Sequence, residues 1–148
     1  MALHVEGSMA ESPVRELRLA VTVEDYGATL EFYRGVLGLP VVEAWESASG
    51  SGAILDAGRA TLELLSVDQA ELVDRIEVGE RVAGRIRLAL EVEDSIETAK
   101  TLVAGGAKQL AQPVVTPWSH RNVRLCAPDG MQLTLFTVLD EEEASRLN

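Results

Sequence analysis

The chain has 148 residues, of which 47% are hydrophobic and 25% are charged, and its formal net charge at pH 7 is −11. These values are typical of one globular domain, and no apolar run approaches the roughly 20 residues that a membrane-spanning helix needs. The negative charge argues against nucleic-acid binding, which usually depends on a clustered basic surface. The single cysteine, Cys126, excludes an intrachain disulfide. We therefore expect a cytoplasmic protein that contacts neither membranes nor nucleic acids.

The first part of the chain begins with a segment, residues 1–14, that we interpret as a flexible leader. The strict alternation of Leu17–Val23 predicts a half-buried strand with Arg18 on its polar face. A helix should follow, since Asp25 is a suitable N-cap and apolar residues recur at helical spacing after it. Gly38, with a proline two residues later, predicts the end of this helix.

Three more strands are predicted after this helix, followed by a connector over residues 68–84 with a short helix near Gln69–Arg75. The segment Glu46–Gly52 is rich in serine and glycine and predicts a mobile hairpin loop. The predicted strands are Pro40–Trp45, Ala53–Asp56 and Ala60–Val67.

The second half of the chain repeats this order. Arg85–Val92 alternates like the first strand, and Asp94 with Glu97 has the form of a capping box for a second helix. The acidic residues 141–148 are interpreted as a solvated tail. Further strands are predicted over Gln109–Val114, Asn122–Cys126 and Met131–Val138, with a tight turn at residues 128–130.

An internal repeat explains this similarity between the halves. The tripeptide Val23–Asp25 recurs as Val92–Asp94, 69 residues later. A period of this size is longer than that of a solenoid repeat and predicts two βαβββ modules, residues 15–67 and 85–140, in one α+β domain. Two such modules, each with a mixed sheet, would face each other across a cleft, and the polar faces of their strands would line it.

Two motifs connect the chain with a known family. The segment Leu30–Leu39 reads LEFYRGVLGL, and the segment Ala127–Phe136, which starts 97 residues later, reads APDGMQLTLF. In these motifs the chain resembles the vicinal oxygen chelate superfamily, which contains glyoxalase I, extradiol dioxygenases, methylmalonyl-CoA epimerase and bleomycin-resistance proteins. The resemblance implies the two-module fold with its cleft and, at this length, a homodimer.

Metal chemistry in that superfamily depends on four positions, one on the first and one on the last strand of each module. A guanidinium is always protonated and has no lone pair to donate, and divalent ions need three or four good donors. By local motif the resemblance carries the four positions onto Arg18, Glu63, Arg87 and Thr134. We therefore expect neither a metal ion nor another cofactor in the cleft.

The two arginines at these positions leave two interpretations open. Arg18 or Arg87 pairs with Glu63 or Glu91 and fills the cleft as a charged plug. Alternatively, at least one guanidinium binds a carboxylate, phosphate or polarised carbonyl of a ligand. A register slip of one residue would turn both side chains onto the other face of their strands.

Three ring-bearing residues are further candidates. Trp45 and Trp118 lie near loops expected at the rim of the cleft, where they could sandwich a flat ligand or pack beneath a loop. His120 could act as an acid or base, although a rim histidine without such a role is the simpler interpretation. The candidate ligand-binding residues are thus Arg18, Trp45, Glu63, Arg87, Trp118, His120 and Thr134.

Three functions agree with these features. The preferred one is a metal-free protein of the bleomycin-resistance type that sequesters an antibiotic or an aromatic metabolite in a dimer cleft. The alternative is a glyoxalase-like lyase, isomerase or dioxygenase, in which Glu63 and His120 would be the catalytic candidates. The third is a domain for assembly or regulation with a vestigial cleft.

Overall fold

The computed structural model describes residues 15, 18–19, 21, 23–60, 63 and 65–147. The predicted leader lies outside these residues. The helices are α1 (Tyr26–Glu31), α2 (Val67–Glu77), α3 (Ser95–Ala104) and α4 (Glu141–Leu147). The strands are β1 (Val41–Ser47), β2 (Gly50–Leu55), β3 (Leu88–Glu91), β4 (Lys108–Gln109), β5 (Val114–Val115), β6 (His120–Cys126) and β7 (Gln132–Val138).

Local sequence signals explain where α1 and α3 begin. The Asp25 carboxylate accepts a hydrogen bond from the backbone N–H of Ala28 at 3.0 Å, as expected of an N-cap. Asp94 caps α3 in the same way. After α1 the chain continues as a π-helical turn, Phe32–Val36, and Gly38 then adopts the left-handed φ of 87° that commonly ends helices. The predicted helix end is confirmed.

The main sheet has five strands in the order β3–β7–β6–β4, and β5 also pairs with β6. β3 runs parallel to β7, whereas β6 is antiparallel to β7, β4 and β5. The predicted strands Asn122–Cys126 and Met131–Val138 are confirmed as β6 and β7. One predicted strand, Gln109–Val114, is interrupted and replaced by the two short strands β4 and β5.

The hydrophobic core lies between α3 and one face of this sheet. Leu125, Leu133 and Leu135 project from the strands and are fully buried, and Leu102 meets them from α3. Phe32 adds to this core from the turn that follows α1. Each buried leucine contributes on the order of 2 kcal/mol through removal of apolar surface from water. This core holds α3 against one face of the sheet, so the opposite face is available for other contacts.

β1 and β2 form a separate two-stranded antiparallel sheet. Every residue of β1 is exposed. Trp45 pairs with Gly52 across this hairpin, and its ring lies where any β-carbon at residue 52 would be, so the packing requires glycine there. The predicted loop Glu46–Gly52 is too long, because both strands extend into it and leave a turn at residues 48–49.

Two predicted strands are not formed by those of their residues that the structure describes. In Leu17–Val23, residues 18, 19, 21 and 23 form no strand, and the other three lie outside the described part of the chain. The side chains of Leu19 and Val21 are exposed, so the alternating pattern has no apolar surface to cover here. Alternation alone does not form a strand, which also needs a neighbour for its backbone hydrogen bonds.

The prediction of a strand over Ala60–Val67 is wrong at its end. Val67 begins α2, since the hydroxyl of Ser66 accepts a hydrogen bond from Gln69 N–H at 3.2 Å and caps that helix. The described residues before Ser66 form no strand, whereas residues 61, 62 and 64 lie outside the description. The short helix predicted in the connector is confirmed and is longer than expected.

The acidic C-terminal segment, predicted to be a solvated tail, forms a helix most of whose residues are exposed. Asp140 Oδ1 accepts a hydrogen bond from Glu143 N–H at 2.6 Å, and Ala144 is buried. Carboxylates in the first turn of α4 also interact favourably with its N-terminus. None of the described helices is both long and apolar enough to cross a membrane.

Candidate functional site

The face of the main sheet opposite α3 is polar. Because side chains alternate along a strand, His120, Asn122 and Arg124 of β6 share this face. Across the ladder, Asn122 pairs with Phe136 and Arg124 pairs with Thr134 of β7. The register therefore arranges ionic groups at one end of the face and aromatic rings at the other.

A cavity of about 260 Å³ opens on this polar face. Its walls come from β3, β6 and β7, from one side of α2 and from the loop before β6. Of the residues predicted to bind a ligand, the lining contains Glu63, Arg87, Trp118, His120 and Thr134. Residues from both halves of the sequence pattern thus meet at one site.

The other two predicted ligand-binding residues do not line this cavity. Arg18 is exposed in a segment where the described residues form no strand. Trp45 is 50% exposed on β1, where its ring packs against Gly52.

A buried ionic cluster occupies one end of the polar face. Arg124, only 1% exposed, donates from Nη1 to Asp74 Oδ1 at 2.8 Å and to Gln132 Oε1 at 2.9 Å. Its Nη2 lies 3.5 Å from Glu77 Oε1. Arg81 donates to the second oxygen of Asp74 at 2.8 Å. Since Asp74 and Glu77 both belong to α2, the cluster attaches this helix to the sheet.

Asp74 stays charged inside this cluster. Burial alone would raise the pKa of its carboxyl, but hydrogen bonds from Ala83 N–H, Arg81, Arg124 and Val82 N–H outweigh burial. Both backbone donors lie 2.8 Å from Oδ2. The pKa is therefore lowered well below its usual range, because these donors stabilise the ionised form.

Thr134 joins the ionic cluster to Arg87. Its hydroxyl oxygen accepts from Arg87 Nη1 at 2.8 Å and from Arg124 Nε at 3.1 Å. The same hydroxyl donates to Glu77 Oε1 at 3.0 Å. A hydroxyl has one proton and two lone pairs, so these three contacts use its full capacity.

Arg87 makes no ion pair with the predicted acidic partners. Neither Glu63 nor Glu91 lies within 4.0 Å of its guanidinium, and both acidic side chains are exposed. The predicted plug formed by Arg87 with either residue is therefore wrong, because α2 brings its own carboxylates to this end of the sheet. Burial and the nearby charge of Arg124 lower the pKa of Arg87, which the charges of Glu77 and Glu63 partly offset.

The positions that hold a metal ion in the family that the sequence resembles do not fit one here. Thr134 directs both lone pairs at guanidinium groups, and Arg87 offers only donors. Among the described residues, no group of three His, Cys, Asp or Glu side chains is placed to bind a metal ion. Zinc and related ions need three or four donors, so the set does not suit them.

Aromatic rings form the other end of the cavity. The imidazole of His120 stacks on the ring of Phe136, with centroids 5.1 Å apart and planes inclined by 13°. Burial lowers the pKa of His120, although the charges of Glu91 and Glu63 oppose this. Trp118, 40% exposed, adds a third ring to the lining. At neutral pH this end is largely uncharged and flat.

Asn122 lies between the two ends and was not predicted. It is 5% exposed and lines the cavity, yet its Oδ1 has no hydrogen-bond partner among the described residues. Buried polar atoms almost always have one, so an unpartnered amide at a cavity is notable. The alternation of Asn122 and Arg124 with apolar residues in β6 was a signal that could have revealed both.

A family model for the Glyoxalase/Bleomycin resistance protein/Dioxygenase superfamily matches residues 17–135. The chain belongs to this superfamily. Solved structures of glyoxalase-related proteins share the fold of this chain, so the predicted α+β fold class is confirmed.

Three proteins similar to this chain have low sequence identity to it. The uncharacterised protein YraH of Bacillus subtilis (strain 168) is 28% identical over 127 residues, which are 83% of this chain and 98% of YraH. TnmS3, an antibiotic-binding protein from Streptomyces sp. CB03234, superposes with a TM-score of 0.59 at 21% identity, covering 87% of this chain and 100% of TnmS3. The hypothetical protein SA1046 from S. aureus gives 0.56 at 14% identity, with 85% and 95% covered. At these identities the two structures show a common fold.

Proposed function

We propose that this protein binds a small aromatic molecule, either an antibiotic or an aromatic metabolite, in the cavity on the polar face and does so without a metal ion. The observation that carries this proposal is the composition of the lining. Three rings stand at one end, the Arg87 guanidinium stands at the other, and the unpartnered amide of Asn122 lies between them. Binding sites for small molecules commonly combine flat apolar walls with a few polar groups that fix orientation.

The similarity to TnmS3 supports the same class of function, because that protein binds an antibiotic on a comparable fold. The hydrogen bonds of Thr134 support the metal-free part of the proposal, since they occupy the oxygen that an ion would need. The enzymatic alternative receives less support. His120 is stacked on Phe136, and no hydrogen bond joins it to Glu63, so the two catalytic candidates are not arranged for proton transfer.

We also propose that the functional unit is a homodimer of chains with modules 15–67 and 85–140 and the connector 68–84. The cavity of about 260 Å³ is at the small end for a ligand site, and a partner chain would supply further walls. The exposed hairpin supplies apolar surface for such an interface, since on β1 Val42 is 67% exposed and Trp45 is 50% exposed. Patches of this kind commonly mark contacts between proteins.

Calorimetric titration of chelator-treated protein tests the binding proposal. The probes are 2-naphthoate, 2-naphthamide and 2-naphthylmethylammonium, which share one ring system and differ in charge. We expect at least one to bind with one site per chain and to bind more weakly to Trp118→Ala. The matched control is Trp45→Ala, which removes the other tryptophan outside the cavity and should leave the affinity unchanged. Absence of binding by all three probes at millimolar concentration would contradict the proposal.

A further inference from the structure

We infer that the cavity selects planar aromatic ligands that carry an anionic group, with Arg87 binding the anion and Asn122 hydrogen-bonding a polar substituent of the ring. The inference rests on the proposed function and names the class of ligand for the same site. It follows from an arginine that no described carboxylate contacts directly, from the unused donors of its guanidinium and from the unpartnered oxygen of one amide.

Among the described residues, Arg87 is the guanidinium at this end of the face that no carboxylate contacts directly. Asp74 and Glu77 supply two carboxylates, whereas Arg81, Arg124 and Arg87 supply three guanidinium groups. Two of these guanidinium groups contact the carboxylates directly, within 3.5 Å. Arg87 reaches them only through the hydroxyl of Thr134. Glu63 also lines the cavity but acts on Arg87 only through space, so in the described part of the chain Arg87 has no ion pair of its own.

Arg87 has donors left for a ligand. A guanidinium carries five N–H donors in a planar fork that matches a carboxylate. In the described part of the chain, Arg87 uses one hydrogen bond, from Nη1 to Thr134, and no carboxylate lies within 4.0 Å of it. Its partial burial strengthens any contact with an anion, since water screens the pair less there.

Asn122 is placed to recognise a second group of the same ligand. It pairs with Phe136 across the ladder and lies two residues from His120 along β6, so it adjoins the aromatic end. Phe136 lies two residues from Thr134, roughly 7 Å along the strand. A ring against the aromatic end could thus extend its charged group toward Arg87. Rotation of the amide exchanges its oxygen and nitrogen, so it can accept or donate.

The negative net charge of the chain allows a local contact with Arg87 to be distinguished from long-range electrostatic attraction. At −11, the protein attracts cations and repels anions at long range. If general electrostatics governed binding, the cationic probe would bind best. Preference for the anionic probe would therefore have to come from the local contact with Arg87.

The test compares the three naphthalene probes by calorimetry on the wild type, on Arg87→Met and on the control Arg85→Met. Arg85 is exposed, lies two residues away and does not line the cavity. We expect 2-naphthoate to bind tightest to the wild type and to lose roughly 10- to 100-fold in affinity in Arg87→Met. The affinity for 2-naphthamide should change less than about twofold in either variant.

Two further variants distinguish a lost ligand contact from a general loss of folding. Arg87→Lys keeps the charge but loses the planar fork, so it should still prefer 2-naphthoate to 2-naphthamide, with weaker binding than the wild type. We expect 6-hydroxy-2-naphthoate to bind the wild type more tightly than 2-naphthoate does, and Asn122→Ala to abolish this difference; equal affinities in the wild type would contradict the role of Asn122. This comparison is a ratio measured on one protein, so a general loss of stability cancels.

The outcomes separate the inference from the proposed function. If 2-naphthamide or the cationic probe binds as tightly as 2-naphthoate and Arg87→Met changes nothing, the choice of ligand is wrong, whereas the binding function stands. If no probe binds to the wild type, both are wrong. If 6-hydroxy-2-naphthoate keeps its advantage in Asn122→Ala, the role of Asn122 is wrong.

Discussion

The two halves of the chain bury their strands to different extents. Every residue of β1 is exposed, whereas Asn122–Leu125 at the centre of β6 are buried. β6 has strands on both sides and α3 on one face, while within the described ranges β1 pairs with β2 alone. An isolated two-stranded hairpin is at best marginally stable in water. Among the described residues the two halves thus differ in packing, and the proposed dimer would supply the hairpin with a further surface.

The largest expected effect concerns the ionic cluster of the C-terminal half. Arg124→Met would leave Asp74 and Glu77 buried without their guanidinium partner, so we expect a loss of about 3–5 kcal/mol in the free energy of unfolding. Urea denaturation at pH 7 measures it. The control is Arg121→Met on the same strand, whose partly exposed pair with Asp94 should contribute less than about 1 kcal/mol. Equal losses in both variants would show that burial of the cluster has no special effect.

Truncation of apolar side chains compares the two halves directly. Leu135→Ala removes a fully buried side chain from β7 and should cost about 2–5 kcal/mol. Val42→Ala on the exposed hairpin should change the stability of the isolated monomer by less than about 0.5 kcal/mol. The measurement is urea denaturation at a protein concentration low enough to keep chains apart. A large loss for Val42→Ala there would mean that the hairpin packs within its own chain.

Stability should fall in acid because of Asp74. Its pKa is lower in the folded than in the unfolded chain, so its contribution is fully present above the unfolded value near 4 and is lost as the pH falls toward the folded value. We expect the unfolding free energy of the wild type to decrease more between pH 5 and pH 3 than that of Asp74→Asn. Asp68→Asn, an exposed change on the same helix, should keep the wild-type slope. An unchanged slope in Asp74→Asn would exclude this residue as the source.

The smallest expected effect is on association. Val42→Glu places a charge on the exposed apolar strand and should weaken the proposed dimer by about tenfold or more, without lowering monomer stability. Sedimentation over a range of concentrations measures the change. Glu43→Gln, at the neighbouring position of β1, is the control. Wild-type protein that sediments only as a monomer at micromolar concentration would remove the dimer from the proposal.

The elements that the sequence predicted well are those with local signals. The cap at Asp94 and the alternation of β6 and β7 depend on neighbouring residues and are visible in the sequence. The pair Asp140 and Glu143 has the same spacing as the capping box of α3, so the helix α4 was predictable too. The strand predicted over Leu17–Val23 is not formed by its described residues, 18, 19, 21 and 23. A strand depends on a pairing partner, which alternation in the sequence does not reveal.

The site was predicted in part for a similar reason. Register and family resemblance placed Arg87 and Thr134 on one polar face, and the structure joins them by a hydrogen bond. The cluster around Arg124 was missed. Its partner Asp74 lies 50 residues away, and charged side chains are buried only when such a distant partner neutralises them. No periodicity in the sequence reports that pairing.

The proposal that the cavity binds its ligand through its own side chains is tested most directly by metal analysis combined with calorimetry. The experiment measures the metal content of untagged protein by elemental mass spectrometry. It then compares the affinity for 2-naphthoate in chelator with the affinity after incubation with zinc, iron, manganese or nickel. We expect less than stoichiometric metal and the same affinity in every condition. One tightly held ion per chain, whose removal abolishes binding, would contradict the proposal.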